Sequence, residues 1–587
     1  VTASDSKLIN VLTDEVNDVG DLPTHCRHGY VVKVVNSTSD KDDYYLQFKS
    51  KTAPEDGSGV WEECVKPGIR TEVAVDTMPH QLVRYRARAG KPAFFELKPV
   101  KWAGRLVGDD NTNPTPSFLL DTQASEFNLA TKEWDKQVGY PIQNMAFYRN
   151  RIALLANDSI ILSQAGDYFN FWAKTAMTIS PADSIDLSVG DTKPAILLHS
   201  ISTQKGLLLF SKEKQFLLTT DNDVLSPETA KILSISTFNY NDKVQPFSLG
   251  TTIGFLNNVG SNTKFMEMTN ISNPSQTEVI EQSKLVSSLL PNTVDSVAES
   301  KEDGLILFAT RDADENVYGY KWFNTGEKRL LASWFRWTMH GNTIFHTIMD
   351  GVYYAVVKVD DDALQLQKID LKTRPKLDSQ LVDYPIHMDN MTLLTSAHAS
   401  NETTFAVPRE GNAPDTNFSV SGNKRFTIFA VDGPMKGQSE YPRISGSEFK
   451  LNGNWSTSTV YGGYTYDMKV EFPVPYLKQS EGDAVRADTR ASTIIHRVDL
   501  NLGPTGYHQT RLKRKRRNDW IQDHEASLNY GFEENRYYFL DSTKTTIPVY
   551  ARNGDFKLSL ESNHPSPCTL YSSFWEGDYN QRYYKKV

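Results

Sequence analysis

Five strand–turn–strand segments recur along the chain at a spacing of about 50 residues, and this super-period constrains the fold most. The units begin near Ala146, Leu197, Phe247, Ser296 and Ile344. In the first, Asn150–Ala156 meets Ser159–Ser163 across Asn157-Asp158. The second runs Gly206–Phe210, turns at Ser211–Lys214 and returns as Gln215–Thr219. The third joins Thr252–Leu256 to Thr263–Met268 through Asn257–Asn262. The fourth joins Gly304–Ala309 to Val317–Phe323. The fifth joins Gly351–Val359 to Ala363–Gln367 through Asp360-Asp361-Asp362.

Strands favour the β-branched and aromatic runs found here, and Asn, Asp and Gly supply tight turns. One hairpin cannot bury both of its faces, so the units must stack. The period predicts a β-propeller-like array of about five blades, from about Gln123 to Thr373. The alternative is a β-sandwich, whose strands recur roughly every 8–12 residues without a longer period. The fold class is mainly β, with flanking β domains.

The 587 residues exceed one ordinary core, which sets an expectation of roughly two to four domains. Four regions are expected: an N-terminal β region over 1–121, the array over 122–376, a loop-rich β region over 377–490 and a C-terminal β region over 491–587. The first holds two hairpin signals, Gly29–Val35 with Asp43–Phe48, and His80–Arg86 with Ala93–Leu97. Asp109–Pro116 reads as a loop, since neither of its prolines can serve a central strand. Past Lys376 the period stops, with strands expected at Thr403–Pro408 and Arg425–Ala430. Alternation returns from Thr493, and Thr569–Tyr579 reads as a last strand. The best helix candidate is Ser275–Leu290, linking two blades.

No apolar stretch nears the roughly 20 residues that span a bilayer, so a soluble chain is expected. The chain opens Val1-Thr2 without Met and is expected to lack its natural start. Cys26, Cys64 and Cys568 form neither a disulfide framework nor a Cys-x-x-Cys pair, which fits a reducing cytoplasm. A net charge of −9 argues against a basic nucleic-acid binder, although an acidic protein can surround DNA while repelling its phosphates.

Positive charge concentrates at Arg511, Lys513, Arg514, Lys515, Arg516 and Arg517, interrupted by Leu512. The run could hold phosphates, meet an acidic partner or be a solvated strand end. Asp312–Asn316 begins like a calcium loop, but Val317 and Phe323 stand where Gly and Glu are required, so a turn explains it better. Asp360-Asp361-Asp362 also reads as a turn. No metal or cofactor site is expected, and the hydrolase motifs His-Glu-x-x-His, Gly-x-Ser-x-Gly and the phosphate loop are missing. Phe169–Trp172, Trp334–Trp337 and Trp575 are expected to be packing anchors.

Thr77–Arg84 resembles the tail tubular protein B family of short-tailed bacteriophages, the tail nozzle proteins. Four further stretches agree in order: Asn113-Pro-Thr-Pro-Ser-Phe118, Phe147-Tyr-Arg-Asn-Arg-Ile152, Ile161–Ser163 with Gly166–Phe171, and Trp575-Glu-Gly-Asp-Tyr579. The resemblance runs from about Gly29 to the end and is weakest over about His387–Tyr476. It implies a virion structural protein of the tail, assembled in the host cytoplasm. It further implies a homohexamer that meets a tail adaptor protein of the tail tubular protein A type and tail fibres, with region 377–490 as the tip. Genomic double-stranded DNA would pass through its lumen without sequence-specific binding. No enzyme activity is expected. The rivals are a propeller-fold glycosidase or depolymerase acting on host polysaccharide, and a monomeric binding module.

Overall fold

A computed structural model describes residues 14–35, 43–119, 127–128, 133–134, 140–269, 277–371, 382, 384–406, 426–524 and 539–580. Within those spans residues 70, 74, 89, 91, 192, 222, 223, 326, 327, 361, 362, 446, 447, 482, 483 and 490 are left out. The chain divides into two compact units, Val1–Leu371 and Lys372–Val587. The described residues are strand and loop, with helix confined to single 3-10 turns such as Val19–Asp21 and Lys284–Val286.

The first unit opens with a five-stranded sheet whose centre is Val31–Val34, Tyr44–Ser50 and Gly57–Cys64. Five antiparallel sheets then follow in chain order. The first sheet holds Ile142–Tyr148, Arg151–Ala156, Ser159–Leu162 and Ile185–Ser188. The second holds Leu197–Ser202, Leu207–Ser211, Gln215–Thr220 and Ala230–Ser236. The third holds Phe247–Ser248, Ile253–Asn257, Lys264–Thr269 and Glu278–Glu281. The fourth holds Ser296–Ser300, Leu305–Ala309, Asn316–Thr325 and Lys328–Thr338. The fifth has three strands, Asn342–Met349, Val352–Asp360 and Ala363–Asp370. Each expected hairpin supplies two strands of one sheet. The hairpins lie in five separate sheets, so this stretch does not form a two-layer sandwich.

Alternation along the strands decides how the sheets meet, because successive side chains point to opposite faces. Ala153, Leu155, Ile160 and Leu162 of the first sheet pack with Leu207, Leu209, Phe216 and Leu218 of the second. The other face of the second, through Leu208, Phe210 and Leu217, meets Phe255, Met266 and Met268 of the third. Leu256 and Phe265 of the third meet Ile306, Phe308 and Tyr320 of the fourth. Leu305, Leu307 and Val317 of the fourth meet Tyr353, Ala355 and Val357 of the fifth. Face-to-face contact therefore runs in series through the unit. A buried ion pair ties the third sheet to the fourth: Arg329 grips Glu267 with both ends of its fork, at 2.6 and 2.7 Å. Thr252 and Gln282 also donate to that carboxylate, whose side chain is 2% exposed.

The expected helix at Ser275–Leu290 is not formed by its described residues. Glu278–Glu281 is instead the outer strand of the third sheet, paired with Lys264–Thr269, and Lys284–Val286 is a single 3-10 turn. Val279 and Ile280 favour extended backbone, and a waiting sheet edge settles a stretch too short to be a stable helix alone. The expected strand at Thr403–Pro408 is Glu402–Ala406, and that at Arg425–Ala430 is Phe426–Ala430; residues 407, 408 and 425 lie outside the described residues.

In the second unit Asp389–Ala399 pairs with Val460–Tyr464 through its first half and with Glu402–Ala406 through its second. Phe405, Ile428, Phe449 and Trp455 fill the core beside it. A four-stranded sheet of Met468–Glu471, Phe556–Ser562, His508–Arg514 and Trp520–His524 shares a further core with the three strands Thr543–Arg552, Ser492–Thr505 and Cys568–Asn580. Pro548 lies on an edge strand, where its missing N–H breaks no ladder.

Candidate partner interface

The motif residues of the first unit converge beside the first sheet and serve as brackets. Arg151 is 1% exposed, yet it has no carboxylate partner among the described residues. Its NH1 donates to the carbonyls of Ser163 at 2.7 Å, Asp183 at 2.5 Å and Ala182 at 3.2 Å; its NH2 donates to Pro181 at 2.7 Å and Leu225 at 3.4 Å. Asn113 spans two segments, donating to the Val107 carbonyl and accepting from the Ala173 N–H. Ser117 donates twice to Asp186, whose carboxyl is pushed up by burial and drawn back by those bonds. Arg105 lies over the Trp172 ring at 4.6 Å. Phe118 and Phe171 pack with Trp102, and Trp575 packs at the edge of the C-terminal core. These residue types saturate loop carbonyls and fill space, and the expected packing role of the aromatic clusters holds.

The basic run begins inside the strand His508–Arg514. His508, Thr510 and Leu512 point into the core, and Leu512 is fully buried. Arg511 and Lys513 point outward, where Arg511 meets Glu561 at 3.2 Å and Asp519 at 3.8 Å. Lys513 also lies 3.8 Å from Asp519, and Lys515 lies 3.8 Å from Asp555. Arg514 ends the strand and donates to the Val549 carbonyl at 3.3 Å. The chain then reverses at Lys515-Arg516, where Arg516 takes a positive φ of 62° and the Arg517 N–H returns to the Arg514 carbonyl. Arg516 and Arg517 have no ion-pair partner among the described residues.

A second turn, Arg552–Asp555, lies alongside and is joined to the first by the Lys515 N–H to Asp555 carbonyl bond of 2.9 Å. Between the two turns is an open cavity of about 370 Å³. Five cations line it, Arg514 to Arg517 and Arg552, against the single carboxylate of Asp555. Tyr550, 68% exposed and stacked on His496, forms its aromatic side. The run is thus divided: Arg511, Lys513 and Lys515 lie against carboxylates, while Arg516, Arg517 and Arg552 have no ion-pair partner among the described residues. The guanidinium fork suits planar anions, carboxylate or phosphate. Sequence reading missed Tyr550 and Arg552. Asn553-Gly554 is a turn signal, but nothing local says that this turn sits beside the basic one.

Asp312–Asn316 is a turn, as expected. Asp314 accepts from the Asn316 N–H and the Tyr318 hydroxyl. Asp360 ends a strand, and Asp361 and Asp362 lie outside the described residues. Among the described residues no group of His, Cys, Asp and Glu could hold a metal ion, and no helix is long and apolar enough to cross a membrane. Cys26, Cys64 and Cys568 are free.

Serial β-sheets, with loops bracketed to them by a buried arginine, define a mainly β, multi-sheet protein. The chain belongs to the bacteriophage nozzle protein family, whose model matches residues 2–586. It is a structural protein of the phage tail. It is 25% identical over 592 residues to the tail tubular protein gp12 of Escherichia phage T7, covering 98% of this chain and 69% of that protein. Among solved structures, Hsv2 of Kluyveromyces lactis superposes with a TM-score of 0.26 at 9% identity, over 56% of this chain and 91% of that one. An exo-β-1,3-galactanase of Phanerochaete chrysosporium gives 0.19 at 10% identity, over 74% and 96%. Likeness of that order decides neither fold nor function.

Proposed function

We propose that this chain is the subunit of a ring that retains the phage genome and conducts DNA into the host on ejection, and that it works without enzyme activity. The observation that carries the reading is the family match over residues 2–586. The ring is a homohexamer that meets a tail adaptor and tail fibres. The five serial sheets are blades of a propeller-like array, and regions 1–121, 122–376, 377–490 and 491–587 are its parts. A channel must not hold DNA tightly, since each phosphate gripped by Lys or Arg resists transit. The net charge of −9, multiplied round a ring, suits a repelling wall. The cationic cleft at Arg514–Arg517 and Arg552 then faces an acidic surface of another tail component, outside the lumen.

Electron microscopy of the tail with this chain tagged tests the reading. Six copies round an axis with DNA along it are expected; one copy, or a position off the DNA path, would refute it.

A further inference from the structure

Two surfaces of the first unit break its packing rule. Every sheet from the first to the fourth buries both faces: the first is covered on its outer side by Met78, Val100, Trp102 and Phe118. Among the described residues the fifth buries only one. Its strand register aligns Phe345, Val356 and Leu366 in one cross-strand row, and Met349 with Val352 in another, all on the face away from the fourth sheet. Phe345, Met349, Leu364 and Leu366 are 55%, 55%, 66% and 72% exposed. Among the described residues the fifth sheet also has no counterpart of the outer strand found in the other four, so that Ala363–Asp370 is its edge there.

The other surface rises from the opposite end of the series. Gln81–Tyr85 and Phe94–Lys98 form a two-stranded hairpin that joins no larger sheet among the described residues. Its base, Met78 and Val100, is seated on the first sheet. Register places Leu82, Leu97 and Phe95 on one face, and they are 64%, 67% and 61% exposed. A lone hairpin is marginal in water, and an exposed apolar face on it marks a contact.

We infer that the apolar face of this hairpin docks on the outer face of the fifth sheet of a second copy of this chain, so that copies join head to tail. Docking one patch on the other is a heterologous contact between opposite ends of the series, and heterologous contacts generate a ring when the rotation closes. The seven exposed side chains offer on the order of 700 Å² of apolar surface. With a polar rim this reaches the roughly 1,200 Å² at which specific interfaces begin. The inference rests on the ring reading above and assigns its seam.

The test uses assembled tails carrying Leu97→Cys and Leu366→Cys in one chain, treated with a short bismaleimide. Wild type, with its three native cysteines, sets the background. A ladder of linked chains is expected, at least about tenfold above background, because groups held side by side react at millimolar effective concentrations. Tails assembled from a mixture of the two single variants should stop at dimers. A link formed only within one chain would overturn the inference, since the hairpin would then close on its own fifth sheet. Background linking in intact tails would also overturn it. Counting copies in the same particles separates the failures: a ring without linking removes the seam alone, whereas a single copy removes the ring as well. As a second measure, Leu364→Glu with Leu366→Glu should leave the melting temperature of the isolated subunit unchanged and cut assembled tails at least tenfold; normal tail numbers would overturn the seam.

Discussion

Replacing Arg151 by Met removes a cation that holds five backbone carbonyls. Three of its bonds are short, at 2.5 to 2.7 Å, and tie the loop carbonyls of Ser163, Pro181 and Asp183 to the first sheet. Hydrogen bonds to a charged group contribute about 1.5–3 kcal/mol each, and an unsatisfied buried acceptor costs about 1–3 kcal/mol. Against this, Met no longer has to bring a charge out of water, a relief of several kcal/mol. Burial already pulls the guanidinium below its ordinary pKa, which marks that desolvation as real. The balance is a loss of about 3 kcal/mol, or about 4 °C in the melting temperature for a unit of this size. Arg151→Lys should recover only part, because a single ammonium cannot serve both carbonyl groups of the fork. Calorimetry gives the shift, and limited proteolysis should cut first within 163–184. If Arg151→Met melts within about 1 °C of wild type, the carbonyl cage is not what holds this loop.

Glu267→Gln breaks the clamp between the third and fourth sheets; a double-mutant cycle with Arg329→Met should show about 2–3 kcal/mol of coupling, and additivity would contradict the clamp. Gly319→Ala puts a methyl group about 2.1 Å from the Phe335 ring opposite it, so about 1–3 kcal/mol should be lost on urea unfolding, and an unchanged midpoint would mean the ring moves freely. Burial pushes His346, His524 and His564 down to about 4, so the folded chain keeps them neutral where the unfolded chain, near 6.5, binds protons. Stability should be full above about pH 6.5 and fall as pH drops towards 4; a urea midpoint flat across that window counts against it. Arg516→Ser, Arg517→Ser and Arg552→Ser together should leave the melting temperature within about 1 °C, since exposed charges contribute about 0–1 kcal/mol, yet reduce tail assembly. Normal assembly with altered DNA release would place the cleft in the lumen instead.

The paired inner strands were legible because Leu207–Phe210 or Leu305–Ala309 are apolar without interruption and end in turn residues. The flanking strands were not: Phe247–Ser248 has two residues, and Ala230–Ser236 is half polar, so a neighbouring edge makes them strands. The same tertiary override turned the expected helix at Ser275–Leu290 into an edge strand. The basic run was visible as charge. That Leu512 anchors it in the core, and that Arg552 completes the cleft, depends on two turns more than 30 residues apart meeting in space. Arg151 gave no signal beyond an Arg-Asn-Arg triplet, since carbonyl cages leave no trace in side-chain types.

Serial stacking has a kinetic side. Chain order equals spatial order, so the sheets can form during synthesis, each on the one already made. At about 5–20 residues per second a repeat of about 50 residues emerges in roughly 3–10 s, far slower than the microseconds a hairpin needs. At every moment the nascent chain therefore shows the ribosome's surroundings one bare apolar face, that of its newest sheet. Four times the next repeat covers it. After the fifth, no described sheet of the series does, and on the head-to-tail reading the finished subunit carries its last growing face into assembly.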